Sequence, residues 1–123
     1  MAYSSYGGAI TVPATAKRVM DLLIAAGALS GLAPGAGGAG PYIPAAAGPH
    51  YNYHTIALKA DSGNAATVYL GHSSAMTNSN VWRTVPLAKG ESYTEYATVG
   101  WGALETWWVV GNGSDTLYVN ALE

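Results

Sequence analysis

An antiparallel β-sandwich, mainly β and jelly-roll-like, with one N-terminal α-helix and a Gly/Ala/Pro-rich extended arm, is the fold this chain predicts. Three observations lead there. Apolar residues alternate at period two in short runs: Val68 and Leu70 with Thr67, Tyr69 and Gly71, then Val81, Arg83, Val85 and Leu87 with Trp82, Thr84 and Pro86. Turn signals recur at short intervals after position 50, with no helical stretch between them. Only one segment carries the three- and four-residue spacing of a helix. The chain therefore divides into an N-terminal part, 1–50, holding the helix (about 15–29) and the arm (31–49), and a sandwich, 51–123, the two forming a single domain.

In chain order, Ile10-Thr11-Val12 reads as a short strand that Pro13 ends or confines to an edge. From Thr15, a plausible N-cap, Val19, Leu22, Leu23, Ala26 and Leu29 form the stripe of an amphipathic helix of about 14 residues, ~21 Å long. Met20 and Ile24 widen the stripe, Gly27 weakens the last turn, and Ser30-Gly31 with Pro34 supplies the stop. Residues 31–49, GLAPGAGGAGPYIPAAAGP, have no periodicity, and Pro and Gly both oppose regular structure there. Fully extended at ~3.1 Å per residue, this stretch reaches on the order of 60 Å, which suits an arm laid on a neighbour; its composition equally suits a loop without fixed conformation.

Tyr51–Ala60 places Ile56 and Leu58 on one face, Asp61-Ser62-Gly63-Asn64 turns the chain, and Thr67–Leu70 follows, which predicts a hairpin. Further strands are expected over Val81–Leu87, Ser92–Val99 after the Lys89-Gly90 turn, Glu105–Val110 after a bend at Gly100–Gly102, and Thr116–Leu122 after Asn112-Gly113. The sandwich is a jelly roll if the connections over 31–49 and 71–80 cross between sheets.

The chain has 123 residues, enough for one core, which at this length buries roughly two-thirds of the surface of the unfolded form. Half of its residues are hydrophobic and 10% are charged, yet no apolar run approaches the ~20 residues of a spanning helix, so a membrane is not an expected partner. The net charge is -2, and the basic residues Lys17, Arg18, Lys59, Arg83 and Lys89 are scattered, which argues against nucleic acid. There are no cysteines, so neither disulfides nor thiolate metal sites hold the fold. The first residues, MAYSSYGGAITVPA, lack the basic start and apolar core of a secretory signal, which leads us to expect synthesis in the cytoplasm. So few charges suggest that other subunits cover part of the surface.

No constellation points to catalysis or to a cofactor. Gly35, Gly37 and Gly40 match G-x-G-x-x-G, but Pro41 stands where a nucleotide-binding helix would start. His50 and His54 lie in extended sequence, where side chains four residues apart sit about 13 Å from each other, too far to share a metal, and His72 is the only further imidazole. Glu91 and Glu95 are likewise too far apart along one strand for paired carboxylates. These two, with Asp61, Glu105 and Asp115, fit turns and strand edges. His72-Ser73-Ser74 lacks a nucleophile elbow and an orienting acid. Asn112-Gly113-Ser114 matches a glycosylation acceptor, but Asn-Gly is first a turn.

Trp82, Trp101, Trp107 and Trp108 remain. Adjacent Trp107 and Trp108 must point to opposite faces of a strand, so one of them faces outward, toward a glycan, a protein interface or a covering segment of the same chain.

The segment Asp61–Leu87, with DSGNAATVYLGHSSAMTNSN followed by VPLAKGESYT, resembles the C-terminal β-domain of small virion structural proteins of tailed bacteriophages, the head decoration or cement proteins and related capsid accessory proteins. The shared features are a strand ending Val-Tyr-Leu-Gly, a Ser/Asn/Thr loop, and Pro-Leu-Ala-Lys-Gly-Glu-Ser before a strand; they extend more loosely to Glu123. The resemblance implies a non-enzymatic virion protein on the capsid surface, made in the host cytoplasm, that binds the major capsid protein, bridges its subunits and stabilises the head, with a homotrimer as the leading oligomer. Under that reading the expected contact residues are Leu32, Tyr42 and Ile43 around the arm and the outward member of Trp107-Trp108, with Tyr3 and Tyr6 in a strapping amino-terminal segment. A tail or fibre component and a glycan-binding adhesin module are the alternatives.

Overall fold

A computed structural model of the chain describes residues 5–27, 52–78, 84–97 and 102–122. Within them lie strands β1 (Ser5–Thr11), β2 (Lys17–Arg18), β3 (Asn52–Tyr53), β4 (Thr55–Ala60), β5 (Val68–Gly71), β6 (Val85–Leu87), β7 (Ser92–Tyr96), β8 (Gly102–Ala103), β9 (Trp108–Val110) and β10 (Thr116–Leu122). A short helix, α1 (Val19–Ala25), and a 3-10 turn, Leu104–Thr106, complete the list. Two four-stranded antiparallel sheets dominate: sheet A, in the order β1-β10-β4-β7, and sheet B, in the order β2-β9-β5-β6; β3 and β8 pair separately.

One apolar cluster draws on both four-stranded sheets. Sheet A contributes Ile10, Ile56, Leu58, Leu117, Val119 and Ala121, and sheet B contributes Val68, Leu70, Leu87 and Val109. The alternation that makes this possible is cleanest in β10, where Leu117, Val119 and Ala121 are buried while Tyr118, Asn120 and Leu122 are exposed. Each fully buried Val, Leu or Ile contributes about 1.5–3 kcal/mol. Two of the four edge strands are protected: exposed Pro86 sits on edge strand β6, where its missing N–H costs no ladder bond, and edge strand β7 turns Glu95 toward the inner side, opposite Ile56.

The helix is shorter than its apolar stripe suggests. Lys17 and Arg18 pair with Val109 and Trp108 as β2, so the expected first turn belongs to sheet B, and Arg18 rather than Thr15 stands at the N-cap. The Val19 amide then donates to the Trp107 carbonyl at 3.0 Å. At the other end Gly27 adopts φ 78°, the left-handed conformation that terminates helices, and its amide bonds the Ile24 carbonyl. Val19, Met20 and Leu23 are buried against the sheets.

The expected hairpin over Tyr51–Leu70 does not form. β4 pairs with β10 and β7, β5 pairs with β6 and β9, and the chain between them passes from sheet A to sheet B. Its span also breaks at His54, leaving β3 outside sheet A. Asn64 and Asp115 explain the crossing. The Asn64 amide group donates to the Thr116 carbonyl and accepts from the Thr116 amide, both at 2.9 Å. The Asp115 carboxylate accepts from the Ala65 and Ala66 amides at 2.9 Å. These bonds hold the turn after β4 to the start of β10 rather than folding it into a two-strand unit. Asn112-Gly113 likewise joins two sheets: Asn112 Oδ1 accepts from the Ser114 and Asp115 amides, and Gly113 takes φ 89°. The connection after β5 returns to β6, its neighbour in the same sheet, so 71–80 is not a crossing between sheets. The strand expected over Glu105–Val110 is shortened to β9 because Leu104–Thr106 forms the 3-10 turn.

Candidate interaction surface

The register of sheet A sets out its outer face row by row. Leu122, Thr55 and Tyr96 align across β10, β4 and β7, and the next row is Gly7, Asn120, Ala57 and Thr94. The third is Ala9, Tyr118, Lys59 and Ser92. Tyr96, at 68% exposure, and Tyr118 and Leu122, at 44% and 39%, are the large side chains that stand up from it. The middle row is low, so a trough crosses the strands between them. Gly7 is required by the backbone itself, because at φ 147° a Cβ there would fall on the Val119 carbonyl. Ala9 and Ala57 are small as well, although Ala is disfavoured on strands. Lys59 is the only charged side chain in these three rows. Beyond them Asp61 accepts a hydrogen bond from the Tyr118 hydroxyl at 3.0 Å, and this bond raises the pKa of the phenol.

The outer side of sheet B is different. Asn78 Nδ2 donates to the Gly111 carbonyl at 3.3 Å, drawing the connection after β5 toward the end of β9, and Met76 and Val110 are buried although neither belongs to the main core cluster. Trp108 is half-buried, with the Arg18 guanidinium 5.6 Å from its ring centroid, a cation–π contact between paired strands.

A third feature closes one end of the core. Trp107 is 1% exposed; its indole N–H donates to the Tyr53 hydroxyl at 2.8 Å, which donates in turn to Glu95 Oε2 at 3.1 Å. Burial, reinforced by the charge of Glu95, holds the Tyr53 phenol protonated well above its usual range. His72 packs on Trp107 with ring centroids 4.3 Å apart and planes tilted by 48°, and donates from Nδ1 to the Thr106 carbonyl, while Tyr93 meets the indole edge-on at 5.9 Å.

Trp107 is buried inside the protein. It is the inward member of the Trp pair, and Trp108 the outward one. Tyr6 lies in β1, paired with Ala121. Tyr3, Leu32, Tyr42 and Ile43 lie outside the described residues, as do Trp82, Trp101 and His50. Glu91 and Glu95 fall at opposite ends of β7, Glu91 accepting the Ala88 amide at 2.7 Å in the turn before it. Among the described residues no cluster of His, Asp and Glu could hold a metal, and no helix is long and apolar enough to cross a membrane. Sequence reasoning missed the exposed face made by Tyr96, Tyr118 and Leu122. The alternation of β10 carried that signal, but only the pairing with β4 and β7 joins it into a surface.

Compared with known proteins, the chain has no matching family model, and no curated protein or solved structure matches it significantly.

Proposed function

We propose that this is a non-enzymatic structural protein of a virion, which docks on the head, bridges neighbouring capsid subunits and adds contact energy to the shell. The observation that carries the reading is the outer face of sheet A: four paired strands that no described element covers, with one charged side chain in three rows and Tyr96, Tyr118 and Leu122 exposed on it. A face of that kind suits burial against protein. The strand orders support a jelly-roll sandwich, since β1-β10-β4-β7 over β2-β9-β5-β6 sends the chain between sheets at every link of these eight strands except β5 to β6. Jelly rolls recur in viral capsid and lectin domains, which agrees with the phage resemblance of Asp61–Leu87.

The test is to mix the purified protein with heads that lack it, count bound copies, and heat the particles. Saturable binding at a number set by capsid symmetry, with raised heat resistance, supports the reading; absence of binding to heads removes it. A second reading, recognition of a neutral glycan, is favoured by Tyr96 and Tyr118 standing on the same face as Asn120 and Thr94. Binding of oligosaccharide to the isolated protein distinguishes it.

A further inference from the structure

Resting on the reading that the outer face of sheet A is buried against protein, we infer that in free solution, before any docking, its occupant is a second copy of the same face, related by a two-fold axis that runs along the strands between β10 and β4. Such an axis keeps each row level and lays β10 of one copy over β4 of the other, and β1 over β7. The residues then meet large against small. Asn120 lies over Ala57, Thr94 over Gly7, and Ser92 over Ala9, while Tyr96 covers the start of β1. An axis across the strands would instead set Tyr118 against Leu122 and Asn120 against itself, which fills the trough less well. The chosen arrangement also sets a larger side chain over each of the two alanines of these rows, Ser92 over Ala9 and Asn120 over Ala57.

The one charge on the face is placed for the same contact. Under this symmetry Lys59 of each copy meets Tyr118 of the other, whose hydroxyl is bonded to the Asp61 carboxylate, so the ammonium faces an aromatic ring and an acid rather than its own twin. Four strands at about 4.8 Å and six residue steps at about 3.4 Å give a footprint of roughly 400 Å² per copy. Side-chain relief brings the total buried by both copies near about 1,000 Å², the lower limit of a specific interface. The expected product is a reversible dimer that dissociates on dilution.

Sedimentation equilibrium of the full chain at rising concentration tests this, alongside Ala57→Arg, Asn120→Arg and Lys59→Glu, all substitutions on the exposed side of the sheet, with Lys59→Arg as the conservative control. Each variant's fold is checked by circular dichroism. The proposal expects a monomer–dimer equilibrium, loss of at least tenfold in association for the first three variants and retention in Lys59→Arg. Because the chain has no cysteine, mixing Ala57→Cys with Asn120→Cys protein and adding a short bismaleimide should yield a crosslinked dimer that Ala57→Cys mixed with Lys17→Cys does not. A monomer at about 1 mM, a trimer, or a dimer indifferent to these variants overturns it. Head binding by the same variants separates the two readings. If the protein never self-associates and these variants lose head binding, the dimer fails and the docking face stands; if neither binding exists, both fail.

Discussion

At one end of the protein, Asn64 and Asp115 direct their side chains to backbone groups of the turns they join; at the other, Trp107, Tyr53 and Glu95 pass hydrogen bonds from one side chain to the next beside the tilted ring of His72. The first end is a set of fixed donors satisfied by small polar residues. The second is a large aromatic volume that also has to satisfy an indole N–H. Both close the same core, but they fail under opposite conditions. Backbone donors lower the pKa of Asp115, so the charged form is the one the fold stabilises, whereas burial raises that of Tyr53, so there the neutral form is stabilised. Acid therefore loosens one end and alkali the other.

The largest break in that comparison is Trp107→Ala. It removes the biggest fully buried side chain and leaves the Tyr53 hydroxyl without its donor, and chemical denaturation should show a loss of about 3–5 kcal/mol. Asn64→Ala strikes the other end, leaving the Thr116 amide without its acceptor while the Thr116 carbonyl keeps the Asp61 amide; a loss of about 2 kcal/mol is expected by the same measurement.

Tyr53→Phe keeps the ring and deletes the hydroxyl, costing about 1–2 kcal/mol near neutral pH through the unpaired indole. Its sharper signature is in alkali. With a folded pKa above the unfolded value of about 10, the wild-type phenol loses its stabilising contribution as pH rises through that value, so the gap between wild type and Tyr53→Phe should narrow between about pH 10 and 12. Asp115→Asn gives the mirror image. Its effect on melting temperature should be full above about pH 4 and shrink as the wild-type carboxyl protonates below it. An equal gap at all pH values in either case would break the comparison. The smallest effect belongs to the bare face: Tyr118→Ser should leave stability within about 0.5 kcal/mol while weakening association.

Much of this architecture was legible before any coordinates. Thr116–Leu122 is a strand with the bounds its alternation implies, and Pro86 stands on an edge as proline must. Local signals misled where long-range bonds outweighed them. Asp61–Asn64 has the composition of a hairpin turn, but Asn64 is bonded to Thr116, far along the chain, and no local rule reports that partner. Lys17 and Arg18 continue a helical pattern, yet β9 recruits them as a strand. Trp107 and Trp108 could be told apart only once Trp108 was paired with Arg18 and Gly71, which sets which side faces the core. The interaction face was illegible for the same reason, since its rows are assembled from strands that lie far apart in sequence.

The position of β10 has a consequence for how the protein comes into being. It is the strand between β1 and β4, so Ser5 finds its partner only in Leu122, and β4 lacks a neighbour on one side until the same residues arrive. During synthesis β1 and β4 must therefore wait, unpaired on that side, until β10 has left the ribosome. Sheet A closes only once β10 is available, in one step of high contact order, and the interval before that step is when the nascent chain most needs protection from its own unpaired strands.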